Sequence, residues 1–292
     1  LSGSSPWRAS VLVKNRKTGV KFESDLQGIA SSLPEPFNKS ATEALPLRFE
    51  RDSTPAADGK REQTQMQLGK VFAARVASRQ EKGRMLVERG VIDIGTGESP
   101  ALPERGLLVS ASVPSFNADF WRHQFAGNGS SVEDSLPVSA LDLRTDELIV
   151  FGRPFQEVTL KAALQQDTWQ GQVASRDATG EFSWKSGGKG RLRARLKQFS
   201  LNDTRTGHAL IEDEPLRELP GLDIVADSFV LRGKKLGKLE LSATNEVNAW
   251  RMERLTLSNP DGALVSDGLW GESSTRLNFK LDVTDIGKML ER

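Results

Sequence analysis

Cysteine is absent from the 292-residue chain, and so is tyrosine. The first absence excludes disulfides, thiolate metal ligands and cysteine nucleophiles together. The second removes one of the common catalytic acids. Only two histidines occur, His123 and His208, far apart and without a further His or Cys at ligand spacing, so no metal site is expected. Long apolar runs are missing too. GLLVSASV (106–113) is among the longest and contains two serines, far short of the roughly 18 consecutive apolar residues of a spanning helix. Nor does either sign of charge dominate: 40 Lys and Arg stand against 39 Asp and Glu, which argues against a dedicated nucleic-acid binder. The chain opens on Leu1 with no initiator Met, basic n-region or cleavable signal, and reads as a segment cut from a longer protein.

What is present is alternation. Trp7, Ala9, Val11 and Val13 share one parity against Arg8, Ser10 and Leu12, and VKFESDL follows a Lys17-Thr18-Gly19 turn, which predicts a hairpin. Residues 25–33 read as a short amphipathic turn or helix ended by Pro34-Glu35-Pro36, and RDSTPAADGKREQTQ (51–65) as an exposed loop. Three strand candidates follow between 66 and 94: MQLGKVFAARV, GRMLVERGV and VIDIG. Leu107, Val109, Ala111 and Val113 then share a face, after which Asn117 can cap a short helix containing Phe120, Trp121 and Phe125. The tail repeats this grammar, with Leu277, Phe279, Leu281 and Val283 alternating before Asp285 caps IGKMLER.

The strongest internal signal is a duplication. Leu141, Leu143, Asp146, Leu148, Val150, Gly152, Phe155, Val158, Leu160 and Trp169 match Leu222, Ile224, Asp227, Phe229, Leu231, Gly233, Leu236, Leu239, Leu241 and Trp250, each pair 81 residues apart. The register then drifts, to 86 for Trp184 and Trp270 and to 85 for Leu192 and Leu277. Such repeats indicate stacked supersecondary units. We divide the chain into N-terminal strands with a short helix (1–60), a strand repeat ending in a short helix (61–136), and two repeat copies (137–208 and 209–292), together one continuous structural unit.

The fold class expected is mainly β, an elongated antiparallel meander with one apolar face, one polar face and a few short helices. No run of amphipathic helices is long enough to cover the apolar face. Three solutions follow: a second sheet making a sandwich, closure into a barrel, or curling into an open, taco-like groove that holds a hydrophobic guest.

Motifs for chemistry fail on spacing. In SGGKGR (186–191) Lys189 precedes Gly190 instead of Ser or Thr, so a hairpin turn is the better reading than a phosphate loop. GNGSS (127–131) and GTGES (95–99) are Gly-rich turns, not nucleophile elbows. Glu133-Asp134 and Glu212-Asp213-Glu214 read as solvated loop charge. In GRLRARLKQF, Arg191, Arg193, Arg195 and Lys197 alternate with Leu192, Ala194, Leu196 and Gln198, a basic stripe suited to solvent, to edge protection or to anionic headgroups. The six tryptophans invite a carbohydrate platform, but Trp169 and Trp250 follow strands at equivalent repeat positions, which fits packing.

LPGLDIVADSF, the Gly233 to Gly237 turn, AWRMERLTLSNPDGALVSDGLW and TRLNFKLDVTDIGKML resemble the AsmA-like C-terminal repeat of the YhdP branch of Gram-negative envelope proteins. SDLQGIASSLPEPFNKSATEALPLRFE and LPERGLLVSASVPSFNADFW are similar to segments upstream of that repeat. The first copy lacks the Asn-Pro-Asp signature of the second.

The resemblance implies a periplasmic segment of a long protein anchored in the inner membrane. It implies a β-sheet curled into an apolar groove that carries phospholipid to the outer membrane and maintains the permeability barrier. No enzyme, cofactor or catalytic residue is implied. The partners are phospholipid acyl chains, with both membranes reached through other parts of the protein and no nucleic acid. The expected groove lining is Leu107, Val109, Ala111, Val113, Leu222, Ile224, Leu239, Leu241, Leu277, Phe279 and Leu281. The rival readings are a structural or outer-membrane assembly β-sandwich without lipid passage, and a carbohydrate-binding β domain.

Overall fold

The computed structural model describes residues 1–57, 59–81, 83–98, 101–121, 138–187, 189–201, 220–246, 249–271 and 274–285. The chain divides into two compact units, residues 1–146 and 147–292.

The first unit carries β1 (Ser2–Gly3), β2 (Trp7–Lys14), β3 (Lys17–Ser24), β4 (Ile29–Ala30), β5 (Leu47–Ala56), β6 (Gly59–Leu68), β7 (Phe72–Glu81), β8 (Arg84–Ile94), β9 (Gly106–Asn117) and the start of β10 (Val138–Val150). Its sheet runs β2-β3-β5-β6-β7-β8-β9, while β1 and β4 pair separately. The second unit takes the end of β10 and then β11 (Arg153–Gln165), β12 (Thr168–Ala174), β13 (Ala178–Lys185), β14 (Arg191–Leu201), β15 (Gly221–Leu231), β16 (Lys234–Asn245), β17 (Ala249–Asn259), β18 (Gly262–Gly271) and β19 (Thr275–Val283). These strands pair in chain order.

The fold is mainly β, as alternation predicts, but the pairing among the long strands of each unit is mixed, not antiparallel throughout. The β8–β9 and β14–β15 pairs are parallel. Beside β9, Ser139 Oγ donates to the Leu107 carbonyl (3.3 Å) and Thr145 Oγ1 to that of Pro114 (3.1 Å). The two contacts advance together along both strands, so β10 also runs parallel to β9. Alternation within a strand records which face each residue takes and says nothing of strand direction. A parallel neighbour needs a returning connection of about a dozen residues or more.

Several local expectations also move. The first hairpin turns at Asn15 and Arg16, both with positive φ, and Lys17-Thr18-Gly19 already belongs to β3. Residues 25–33 hold no helix, but turns, the two-residue β4 and a single antiparallel bridge from Ser31 to Lys39. GRMLVERGV and VIDI join into one strand, β8, while MQLGKVFAARV is split at Gly69-Lys70 between β6 and β7. Asn117 does cap a turn of helix, accepting from the Phe120 amide at 2.8 Å. Phe125 and the IGKMLER segment lie outside the described residues.

The largest departure is 51–65, where most of the expected loop is strand, β5 and β6, ten residues each. Polar residues hold this ladder by cross-strand charge. Arg51 pairs with Glu62, and Lys60 reaches the same carboxylate at 2.9 Å. Burial alone would raise the Glu62 carboxyl, but hydrogen bonds from Lys60 and Arg51 hold it below its ordinary 4.5.

A lowered folded-state value means that this stability is present above the ordinary value and is lost as pH falls through the folded one. Glu62→Gln should therefore cost about 1–3 kcal/mol at pH 7. The difference from the parent should narrow under denaturant titration at pH 3. An equal gap at both pH values would show that the carboxylate charge is not what holds the pair.

Candidate functional site

The site assembles from strand register. In the second unit, cross-strand partners form three transverse rows on one face. One row is Leu196, Ala226, Leu239, Leu257, Leu264 and Leu281. The next is Ala194, Ile224, Leu241, Leu255, Ser266 and Phe279, and the third runs from Leu192 and Leu222 through Ala243, Met252 and Gly268 to Leu277. Side chains alternate faces with period two, so these rows lie together and leave the polar residues between them on the other face.

In the first unit the same construction gives Ala9, Phe22, Phe49, Met66, Ala74, Ile92 and Val109, an apolar row from β2 to β9. Ala111 and Leu107 lie on rows either side of it, across from Ile94 and Gly90. The rows turn polar toward the β2–β3 turn, where Arg51, Ser53 and Glu62 occupy this face.

The structure thus brings Leu222, Ile224, Leu239, Leu241, Leu277, Phe279 and Leu281 onto one surface of the second unit. Leu107, Val109, Ala111 and Val113 share one surface of the first. Exposure grades along the rows. Leu107, Ala111, Val113, Ile224 and Leu239 are buried, and Val109, Leu222 and Leu241 are half-buried. On β19, by contrast, Leu277 is 50%, Phe279 76% and Leu281 47% exposed. Around β14–β16 the face is closed by Ala178, Ala194, Leu196, Ala226 and Phe229, with the Phe199 ring tilted against that of Phe229 at 5.6 Å.

Sequence reasoning missed Ala226, Ala243, Leu255, Leu257 and the Phe22 to Ile92 row. Parity within each strand was the available signal, but it identifies a shared face only once the strands are paired.

The structure also shows what recurs. The Phe151-Gly152 and Arg232-Gly233 turns both have two successive positive φ values and stand 81 residues apart. Trp169 pairs across from Trp184, and Trp250 from Trp270, with the second pair of rings 6.5 Å apart, edge on. Trp250 is buried and its Nε1 donates to the Pro220 carbonyl (3.1 Å), a packing role within a strand, not after one.

Asn259 Oδ1 accepts from the Asp261 amide (2.9 Å), and the Asp261 carbonyl accepts from Thr284 (2.8 Å). Eighty-four residues earlier, Ser175 Oγ accepts from the Asp177 amide (3.2 Å), and the Asp177 carbonyl accepts from Ser200 (2.7 Å). Ser-Arg-Asp therefore closes in the first copy the turn that Asn-Pro-Asp closes in the second. One pairing needs correction. Leu192 lies across from Trp184, whereas the residue across from Trp270 is Thr275 and not Leu277, because strand pairing, not similarity of side chain, sets equivalence.

On β14 the stripe points as alternation predicts. Arg191, Arg193, Arg195 and Lys197 are exposed, with Ala194 and Leu196 buried between them. Asp223 on the parallel β15 meets Arg195 at 2.9 Å and Arg193 at 3.4 Å, so two of the four cations are compensated within the fold.

Ser186–Gly190 does connect the adjacent strands β13 and β14. Among the described residues no group of three or more His, Cys, Asp or Glu is placed to hold a metal ion, and no helix is long and apolar enough to cross a membrane. His123, His208, GNGSS, Glu133-Asp134 and Glu212-Asp213-Glu214 lie outside the described residues.

A family model described as YhdP protein matches residues 1–292. No curated protein and no solved structure matches.

Proposed function

The chain belongs to the YhdP family, and from that premise we propose that it is a non-enzymatic segment of a lipid conduit. In this reading its sheet faces curl into an apolar groove that carries phospholipid acyl chains between the inner and outer membranes. The segment works in the periplasm of a Gram-negative envelope and supports the outer-membrane permeability barrier. The observation that carries the reading is the exposed row on β19. Leu277, Phe279 and Leu281 continue rows that are packed further in, yet they are about half to three-quarters exposed.

Moving a lipid through water exposes its tails at about 0.8 kcal/mol per CH₂, on the order of 20 kcal/mol for two chains. A continuous apolar surface lowers that barrier while the headgroup stays wet. The exposed basic stripe of β14 lies on the opposite face, available to headgroups or to water.

A structural β-sandwich reading draws on the buried cluster at β14–β16, where Ala226, Phe229 and Leu239 already fill the face. The two readings divide on whether lipid binds. Native mass spectrometry of delipidated chain re-exposed to phospholipid should show one or more bound lipids, and Phe279→Asp should lower that occupancy at least roughly tenfold, because a carboxylate resists leaving water. Occupancy equal to the parent's, or no bound lipid at all, would refute the conduit reading and leave the face as plain core.

A further inference from the structure

The first unit has two unlike ends. In its meander the β2–β3, β5–β6 and β7–β8 turns all fall at one end of the sheet, since each hairpin reverses the chain. Residues 25–46 and the Gly69-Lys70 turn fall at the other. The first end is basic: Lys14 and Lys17 flank the two-residue turn that contains Arg16, and Lys60, Arg61 and Arg84 stand at the start of neighbouring strands.

Among the described residues at this end, Glu62 is engaged by Arg51 and Lys60 and Glu81 by Arg79 at 2.9 Å, while Asp52 stands further in, across from Gly19. Lys14, Arg16 and Lys17 are all exposed, and among the described residues none of the three makes an ion pair.

Beside those cations the chain displays apolar side chains where a soluble hairpin tip normally places polar ones. Val11, Leu12 and Val13 are 67%, 69% and 69% exposed, on both faces of β2 at once. Met85 and Leu86, next to the β7–β8 turn at the same end, are exposed as well. Apolar residues on both faces of a strand cannot all be explained by one covering sheet. Together with unpaired cations at the same level, they match an interface that is negatively charged at its surface and apolar a few ångströms beneath it.

We infer that this rim of the first unit is a docking surface for a bilayer rich in anionic phospholipid. The β2–β3 turn is the leading element: Lys14, Arg16 and Lys17 engage headgroup phosphates, and Leu12 and Val13 enter the interface. This goes beyond conduction along the apolar face. It concerns how the segment meets a membrane, and it holds or fails whether or not lipid passes along the sheet.

The absence of cysteine makes the test clean. Val13→Cys carries a polarity-sensitive fluorophore on the rim, and Glu43→Cys carries it at the opposite end of the unit. The chain is mixed with vesicles of phosphatidylcholine alone or with a third phosphatidylglycerol, in low and high salt. The expected result is co-flotation with the anionic vesicles only, weakened by salt, with a blue shift at Val13→Cys and none at Glu43→Cys.

Replacing the three cations (K14Q/R16Q/K17Q) should lower the partition coefficient roughly 100-fold, each lost charge contributing about a factor of five. A circular-dichroism spectrum and melting temperature equal to the parent's show that the triple variant folds. If that folded variant binds as well as the parent, if neutral vesicles bind equally, or if both labels shift alike, the assignment is wrong. Retention of duplex DNA as tightly as anionic vesicles would also overturn it, by showing a general polyanion surface.

Discussion

Leu107→Ala is expected to cost the fold about 3–5 kcal/mol, read by chemical denaturation of the intact chain. Leu107 is fully buried and lies in parallel register with Gly90 on β8. The pairing is close: a Cβ built on Gly90 would sit 2.7 Å from Leu107 Cδ1 and 3.2 Å from Val76 Cγ2. The leucine thus fills space that the glycine leaves open, and truncation removes a full set of contacts around a backbone with little freedom to collapse. Leu107→Met, which keeps the volume, should cost under about 1.5 kcal/mol. A loss under about 1 kcal/mol for the alanine variant would mean that the face is open to solvent at β9 and that packing does not close it there.

The second large effect is at Gly237. Its φ is +96°, and a Cβ there would stand 2.2 Å from the Ser258 carbonyl oxygen and 2.8 Å from Asn259 Cβ. Backbone strain and a collision with the next strand's carbonyl act together, so Gly237→Ala should destabilise by about 3 kcal/mol. Gly233, four residues earlier, is the control: its φ is +77° but nothing lies within 4 Å of the added Cβ. Gly233→Asn should cost under about 1 kcal/mol, since asparagine tolerates the left-handed region. Near-equal melting temperatures for the two variants would show that the β16–β17 ladder gives way easily, contrary to its packing.

Both effects arise where strands meet, and strand meeting is what a single chain conceals. The alternation of Leu107, Ala111 and Val113, or of Leu277, Phe279 and Leu281, was legible because a strand turns successive side chains to opposite faces whatever its neighbours are. The basic stripe of β14 was legible for the same reason, and so was the recurrence of strand, turn and tryptophan 81 residues apart.

The β5–β6 ladder was not legible. Arg51, Ser53 and Glu62 read as loop because the stretch is polar and holds Pro and Gly, and only the register that sets Ser53 across from Glu62, with the Arg51–Glu62 ion pair beside it, shows that the polar groups are satisfied across strands. The Asn15-Arg16 turn was displaced for a related reason. Two non-glycine residues with positive φ there match the twist of the flanking strands, and the Gly19 that suggested a turn lies opposite Asp52 within the ladder.

By itself, then, the sequence determined the β class, the two faces of most strands, the internal recurrence and the absence of cysteine and tyrosine chemistry. Each of these follows from composition or from the two-residue period of an extended chain. The tertiary structure decided the rest. It set the parallel β8–β9 and β14–β15 contacts, the assembly of leucines from six strands into transverse rows, and the burial of Leu239 against the exposure of Phe279 on the same face. Those outcomes depend on which strands become neighbours and in which direction they run, and contacts between residues distant in sequence settle that, not the local pattern.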